Sequence, residues 1–286
     1  MSASTSSAPS SVPVGVDPNR ASIARVYDAA LGGKDNYAID RGVLEEIGKV
    51  TPDIQIMAWA NRNWLIRVAR FLTDQCGIRQ FIDCGSGLPT AENTHEVVQR
   101  IAPESTTVYV DNDPVVLAHG NALLAENDST HIASADIYKP AEVLGHDLVR
   151  THIDFTEPVA LMHVSTMHHY IGDDGDRIMR EYIDALPSGS YVALSHFYDP
   201  ADPAAPEHSA LARKMEDIFV HSAMGSGVFR TREQIMALLP GLEIVPSGPG
   251  KEPDLELCAY WWPDGPTLRP LSGVEFCIAG AVGRKP

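Results

Sequence analysis

The ten residues Phe81-Ile82-Asp83-Cys84-Gly85-Ser86-Gly87-Leu88-Pro89-Thr90 constrain the fold of this chain more than any other stretch. An apolar run ends near a carboxylate, a Gly-x-Gly turn comes next, and a helix-compatible segment opens at about Ala91. A doubly wound α/β sheet writes its first strand, tight turn and first helix in this way. Without Cβ atoms, Gly85 and Gly87 let a ligand approach the backbone closely. A lone Gly-x-Gly is weak evidence, and its weight here comes from the later strands and helices, which fall at the distances this fold requires.

The helix from Ala91 to Ile101 leads to Thr106-Thr107-Val108-Tyr109-Val110, a β-branched second strand closed by Asp111. A carboxylate in that place hydrogen-bonds ribose hydroxyls in nucleotide-type sites, and Asn112 beside it is a candidate adenine contact. Asp113-Pro114 supplies an N-cap and a proline at the first helical position. A third strand, His131 to Ile137, carries Asp136 near its end as a candidate acceptor for an exocyclic amine, with Ile137 to pack on the ring. The fourth strand, Val159–Val164, runs into a loop at the same edge that opens on Ser165 and contains His168 and His169. Pro187-Ser188-Gly189-Ser190 turns into a fifth strand, Tyr191–Ser195. Leu242–Val245 and Glu275–Val282 complete a Rossmann-like doubly wound α/β sheet of seven strands that closes on a C-terminal antiparallel hairpin. Three strands ending in polar residues at one edge predict a ligand crevice there.

Three segments lie outside this alternation. Residues 1–18, rich in Ser, Ala and Pro, are expected to be a disordered tail. Residues 19–80 read as an N-terminal helical cap on the domain of residues 81–286. Within the cap, Tyr27 and Tyr37 flank Gly32-Gly33 and a polar loop, which reads either as a flap over a ligand or as a solvated turn with covering tyrosines. A long helix from Met57 to about Cys76 buries Trp64, Leu65, Val68, Phe71 and Leu72, and leaves Asn61 and Arg62 off that stripe. Residues 199–227 read as an insertion whose helix, from about Glu207 to Ala223, forms a lid above the sheet edge or packs in the ordinary way.

The formal net charge of −16 and the absence of a Lys/Arg-rich run argue against nucleic acid as a partner. Cys76, Cys84, Cys258 and Cys277 include no Cys-x-x-Cys pair, and single thiols without a recognisable signal peptide are expected in the cytoplasm. No apolar run is long enough to span a membrane. His163, His168 and His169 lack a carboxylate that completes a metal set, so no metal is expected and acid–base or hydrogen-bonding roles are preferred.

The motifs resemble those of class I S-adenosylmethionine-dependent methyltransferases. Asp83-Cys84-Gly85-Ser86-Gly87 is similar to the donor-binding first motif, Asp111 to the ribose acid, Asp136 to the adenine acid, and Leu186-Pro187-Ser188-Gly189 to the turn before strand five. Asn19–Arg41, together with Tyr109-Val110-Asp111-Asn112-Asp113-Pro114, more specifically resembles the S-adenosyl methyltransferase family common in actinomycetes, once catalogued as a domain of unknown function. The resemblance covers nearly all of residues 19–286. It implies S-adenosylmethionine as cofactor, S-adenosylhomocysteine as product, and a donor site of Asp83, Gly85, Ser86, Gly87, Asp111, Asn112, Asp136, Ile137 and Ser165 covered by Tyr27 and Tyr37. Dinucleotide dehydrogenases compete for the first motif, but their third glycine falls on Thr90.

No Asn-Pro-Pro-Tyr, Asp-Pro-Pro-Tyr or Pro-Cys occurs, which argues against nucleobase chemistry. Met167–Asp174 resembles the loop that carries the base histidine of small-molecule O-methyltransferases, so His168 is the expected proton acceptor. Two readings remain: a methyltransferase acting on oxygen or nitrogen of a small molecule, and a catalytically idle regulatory protein that binds the donor or its product. Nothing in the sequence sets an oligomeric state.

Overall fold

The computed structural model describes residues 16–286 except Pro18, Thr90, Ala91, residues 124–126 and Thr267. The expected disordered tail therefore lies outside the described residues apart from Val16 and Asp17.

Three helices precede the sheet: α1 (Ile23–Ala30), α2 (Ala38–Gly48) and α3 (Ile54–Asp74). Then come β1 (Gln80–Cys84), α4 (Thr94–Ile101), β2 (Thr106–Asp111), α5 (Pro114–Leu123), β3 (Thr130–Ser134), α6 (Pro140–Leu144), α7 (Asp147–His152) and β4 (Ala160–Val164). The chain continues through α8 (Gly175–Ala185), β5 (Tyr191–Phe197), α9 (Pro206–His221), α10 (Arg232–Met236), β6 (Glu243–Ile244), β7 (Glu256–Leu257) and β8 (Ile278–Arg284).

The sheet runs β3-β2-β1-β4-β5-β8-β6, with β7 also paired to β8. The first five strands are parallel, whereas β8 is antiparallel to β5, β6 and β7. The α/β fold with its antiparallel ending is as expected. It has eight described strands rather than seven, because two short strands both pair with β8. Strand order reverses between β1 and β4, which opens a crevice outside their carboxyl ends.

Several boundaries differ from expectation for local reasons. α4 starts at Thr94 because Asn93 and Glu96 form a capping box. β3 ends at Ser134, and Asp136 Oδ1 then accepts the Tyr138 N–H at 3.0 Å in a turn. The stretch Gly273–Cys277 is a 3₁₀ turn behind a Ser272–Glu275 capping box, so β8 begins only at Ile278.

Apolar side chains pack on both faces of the sheet. On one face the cap helices share a single core with the strands: Val26, Val43, Ile47 and Trp64 cluster with Phe81, Met162 and Val282. α3 seats against β8 so closely that a Cβ on Gly280 would lie 2.5 Å from Trp64 Cζ2. Two polar links, one buried and one half-buried, tie down the segment before α2. Arg25 Nε pairs with Asp40 Oδ2 at 2.8 Å, and Ser22 Oγ donates to Asp113 just past β2. That segment is thereby held across the carboxyl edge of the sheet.

Candidate functional site: a cleft at the strand crossover

A cleft of about 790 Å³ lies at this edge. Asp83, Gly85, Ser86, Gly87, Asp111, Asn112, Ile137 and Ser165 all line it. The turn after β1 works because its glycines adopt left-handed backbone angles, φ +71° at Gly85 and +67° at Gly87. A Cβ on Gly85 would lie 2.5 Å from Thr166 Cγ2, whereas one on Gly87 would meet nothing within 4 Å. The first glycine permits close packing against the loop after β4, and the second keeps the cleft open. Ser86 Oγ is buried and has no hydrogen-bond partner among the described residues, so it is a hydroxyl that a polar ligand group would satisfy.

Asp111 is only 8% exposed. Its Oδ2 accepts the Gly87 N–H at 2.9 Å, and its Oδ1 accepts the N–H groups of Asn112 and Asp113 at 2.8 and 2.9 Å. Burial raises its pKa while these N–H groups pull it down. A carboxylate has about four acceptor sites. Three backbone donors leave one on Oδ2. Asp83 Oδ2 accepts the Thr94 hydroxyl at 2.6 Å, and burial pushes this carboxyl up to about 6 against the opposing charge of Arg62.

Tyr27, Asn61 and Arg62 line the cleft from α1 and α3. The Tyr27 hydroxyl donates to Ala58 O at 3.2 Å and accepts from Asn61 Nδ2 at 2.9 Å. Asn61 Oδ1 accepts from Ser195 Oγ at 2.6 Å, and Ser195 Oγ accepts the Ser165 N–H at 2.9 Å. This chain runs from the N-terminal segment through β5 to Ser165, whose φ of +56° is unusual for a residue with a side chain. Ser195 closes the predicted fifth strand, yet its linking role has no signature in the sequence. Tyr138, also missed, lines the cleft and donates its hydroxyl to Thr166 O at 3.0 Å.

Two expected residues lie elsewhere. Asp136 is not among the lining residues. Its carboxylate caps its own turn and lies 3.6 Å from Lys139 Nζ. Tyr37 is outside as well, with the Arg25 guanidinium 4.9 Å from its ring centroid.

His168 lines the cleft but is 1% exposed. Its ring stacks on Phe197 at 3.5 Å, and its Nδ1 accepts the Phe197 N–H at 3.2 Å. In the neutral ring the proton then sits on Nε2, which donates a hydrogen bond and cannot accept a proton. Burial, reinforced by the neighbouring His169, His196 and Arg230, holds the His168 pKa well below its ordinary value. The expected proton acceptor is therefore tied to the backbone. His169 is half-buried at the cleft, its Nδ1 3.0 Å from Ser226 Oγ, and burial pushes it down to about 3. Among the described residues no group of three or more His, Cys, Asp or Glu is placed to hold a metal. No described helix is long and apolar enough to cross a membrane.

The family model described as S-adenosyl methyltransferase matches residues 10–286. The chain belongs to that family. It is an S-adenosylmethionine-dependent methyltransferase, and S-adenosylmethionine is its cofactor. The structure is similar to that of a protein from Thermobifida fusca described as a methyltransferase, with 40% identity and a TM-score of 0.86 over 95% of this chain and 97% of that one. It is also similar to a DUF574 family protein from Streptomyces avermitilis, with 34% identity and a TM-score of 0.84 over 94% and 99% of the two chains. No curated protein matches the sequence. The methyltransferase cleft fits its cofactor in three respects: an acidic strand end with an acceptor site left, a glycine turn with open space, and an orphaned serine hydroxyl.

Proposed function

We propose that this methyltransferase acts on a hydroxyl or amine of a small-molecule acceptor, with the donor in the half of the cleft between β1 and β2. One observation carries the reading: the Asp111 carboxylate, fixed by three backbone N–H groups, faces the cleft beside the Gly85–Gly87 turn. Its remaining acceptor site on Oδ2 takes one ribose hydroxyl. Asn112 and Ile137 flank the base, Ser86 takes a polar group of the amino-acid part, and Ser165 borders the reacting edge. Tyr27 covers the donor. Asp136 and Tyr37 are left without donor contacts.

S-adenosylmethionine supplies a methyl group made electrophilic by its sulfonium. The protein's share is to hold the acceptor in line with that methyl and to take a proton where the nucleophile is a hydroxyl. His168 donates from Nε2 and positions. His169, with Ser226 Oγ accepting at its Nδ1, keeps a lone pair on Nε2 and takes the proton. The net charge of −16 supports a reading without nucleic acid, and the unpaired thiols support a cytoplasmic location.

A screen with isotopically labelled methyl donor and an extract freed of macromolecules tests the reading. Label in one or a few small molecules is expected. Label confined to protein or nucleic acid after adding whole extract overturns it.

A further inference from the structure

The half of the cleft away from Asp111 is built differently. Its walls come from α2, α3, α9 and the turn after it, and the ends of β5 and β8. None of the lining residues from these elements is Asp or Glu. Leu44, Ile54, Met57, Leu65, Met224 and Ile278 are among its apolar lining residues. Its volume, shared with the donor half, is about 790 Å³, towards the top of the roughly 300–1,000 Å³ that hold one drug-sized ligand. A donor and a small acceptor therefore fit side by side.

One wall is a ladder of near-parallel rings. Phe197 lies 5.2 Å from Phe219 and 4.8 Å from Phe229, with interplanar angles of 11° and 18°. The His168 ring continues the ladder at 3.5 Å and 11° on Phe197. His168, Phe197 and Phe219 reach the cleft. Because the rings cover one another's faces, the ladder meets the cleft through ring edges and its outer end, and an aromatic ligand gains from edge-to-face or offset contact there beyond simple burial. A cationic ligand would be desolvated there without a counter-charge. The polar groups at hand are the Tyr27–Asn61 pair, His169 and the Arg62 guanidinium, which together orient one hydroxyl and whose positive charge further disfavours a cation.

We infer that the acceptor is a neutral, flat aromatic molecule bearing a phenolic hydroxyl. This rests on the methyl-transfer reading above. A phenol is a much stronger acid than an aliphatic alcohol, so it suits a buried histidine of low basicity. In the transfer, the phenol oxygen bonds to the methyl carbon, the carbon–sulfur electron pair stays on the sulfur of S-adenosylhomocysteine, and the phenol proton passes to His169 and on to water.

Calorimetry on the full chain saturated with S-adenosylhomocysteine tests this with three probes: 2-naphthol, its saturated decahydro analogue, and 1-naphthylmethylamine, a cation of like size. We expect 2-naphthol to bind, and the other two to bind roughly tenfold more weakly or worse. Met224 is half-buried at the margin of the core, so Met224→Glu places a carboxylate in the chamber without emptying a fully buried position. That variant should reverse the preference between 2-naphthol and the amine while keeping S-adenosylhomocysteine affinity within about twofold. Phe219→Leu should weaken 2-naphthol by roughly two- to tenfold. Equal binding of the three probes, or no 2-naphthol binding in a protein that binds S-adenosylhomocysteine, overturns the inference and spares the donor-site reading. Failure to bind S-adenosylhomocysteine at all defeats both.

Discussion

The two halves of the cleft are made by different kinds of structure. The half beside Asp111 is backbone: glycines with positive φ, N–H groups aimed at Asp111, and strand ends fixed by the parallel register. The other half is side chain: apolar groups and stacked rings gathered from helices and strands far apart in sequence. Backbone sites tolerate little change because glycine angles and strand ends cannot repack. Side-chain chambers accept volume-conserving change and so can be retuned to new acceptors.

The largest effect separating the halves should come from the proton acceptor. His169→Ala is expected to lower turnover on a hydroxyl acceptor by about 10²-fold, the low end for a general base because burial keeps this ring weakly basic, while donor binding holds. Single-turnover rates at saturating donor measure it, and full activity would mean that proximity alone suffices. Because burial keeps the cleft histidines neutral, this rate should not rise through a histidine ionisation near neutrality.

Next comes the turn. Gly85→Ala adds a Cβ 2.5 Å from Thr166 Cγ2 at φ +71° and should destabilise the fold by about 1–3 kcal/mol. Urea titration reads this out. An unchanged midpoint would show that the loop after β4 yields freely.

Protons should also distinguish the regions. His163, His169 and His196 are pushed down to about 3 by burial, and His168 lies well below its ordinary value. Between about pH 6.5 and 3 the unfolded chain binds more protons at these rings than the native protein. Stability is therefore lost as pH falls below about 6.5, by up to about 1.4 kcal/mol per pH unit for each ring. Asp83, raised to about 6, works in the opposite direction between about 3.8 and 6 and offsets part of the loss. Melting temperature against pH checks the sum, and a flat profile from pH 7.5 to 5 would contradict the burial of neutral rings.

The smallest effects should fall on the two expected residues that do not line the cleft. Asp136→Ala and Tyr37→Phe are expected to change donor affinity by less than about 0.5 kcal/mol, because neither side chain lines the cleft. A tenfold loss for Asp136→Ala would return that carboxylate to the donor site.

The same division explains what the sequence revealed. The order of strands and helices, the glycine turn and Asp111 were legible because each is a local pattern at a strand end. Asp136 sits near an equivalent strand end by pattern, but the turn it opens brings Ala135, Ile137 and Tyr138 into the cleft lining and not Asp136, a turn of the backbone that alternation does not record. Tyr37 pairs with Arg25 for a similar reason, through the buried ion pair to Asp40. The fixed tautomer of His168 depends on the Phe197 N–H, twenty-nine residues along the chain. The ring ladder joins the end of β5, α9 and the segment before α10, and its residues read separately as ordinary core. Long-range side-chain assembly leaves no periodic trace, so the apolar half of the cleft stayed hidden.

Asp111 should anchor the donor through its one open acceptor site, and both halves of the cleft take their places from that anchor. Calorimetry of S-adenosylhomocysteine on the wild-type protein and on Asp111→Ala tests it most directly. The wild type should bind one equivalent, and the variant should bind about 10- to 150-fold more weakly, the loss of about 1.5–3 kcal/mol expected for a hydrogen bond to a charged group. Equal affinity in the two proteins would contradict the assignment.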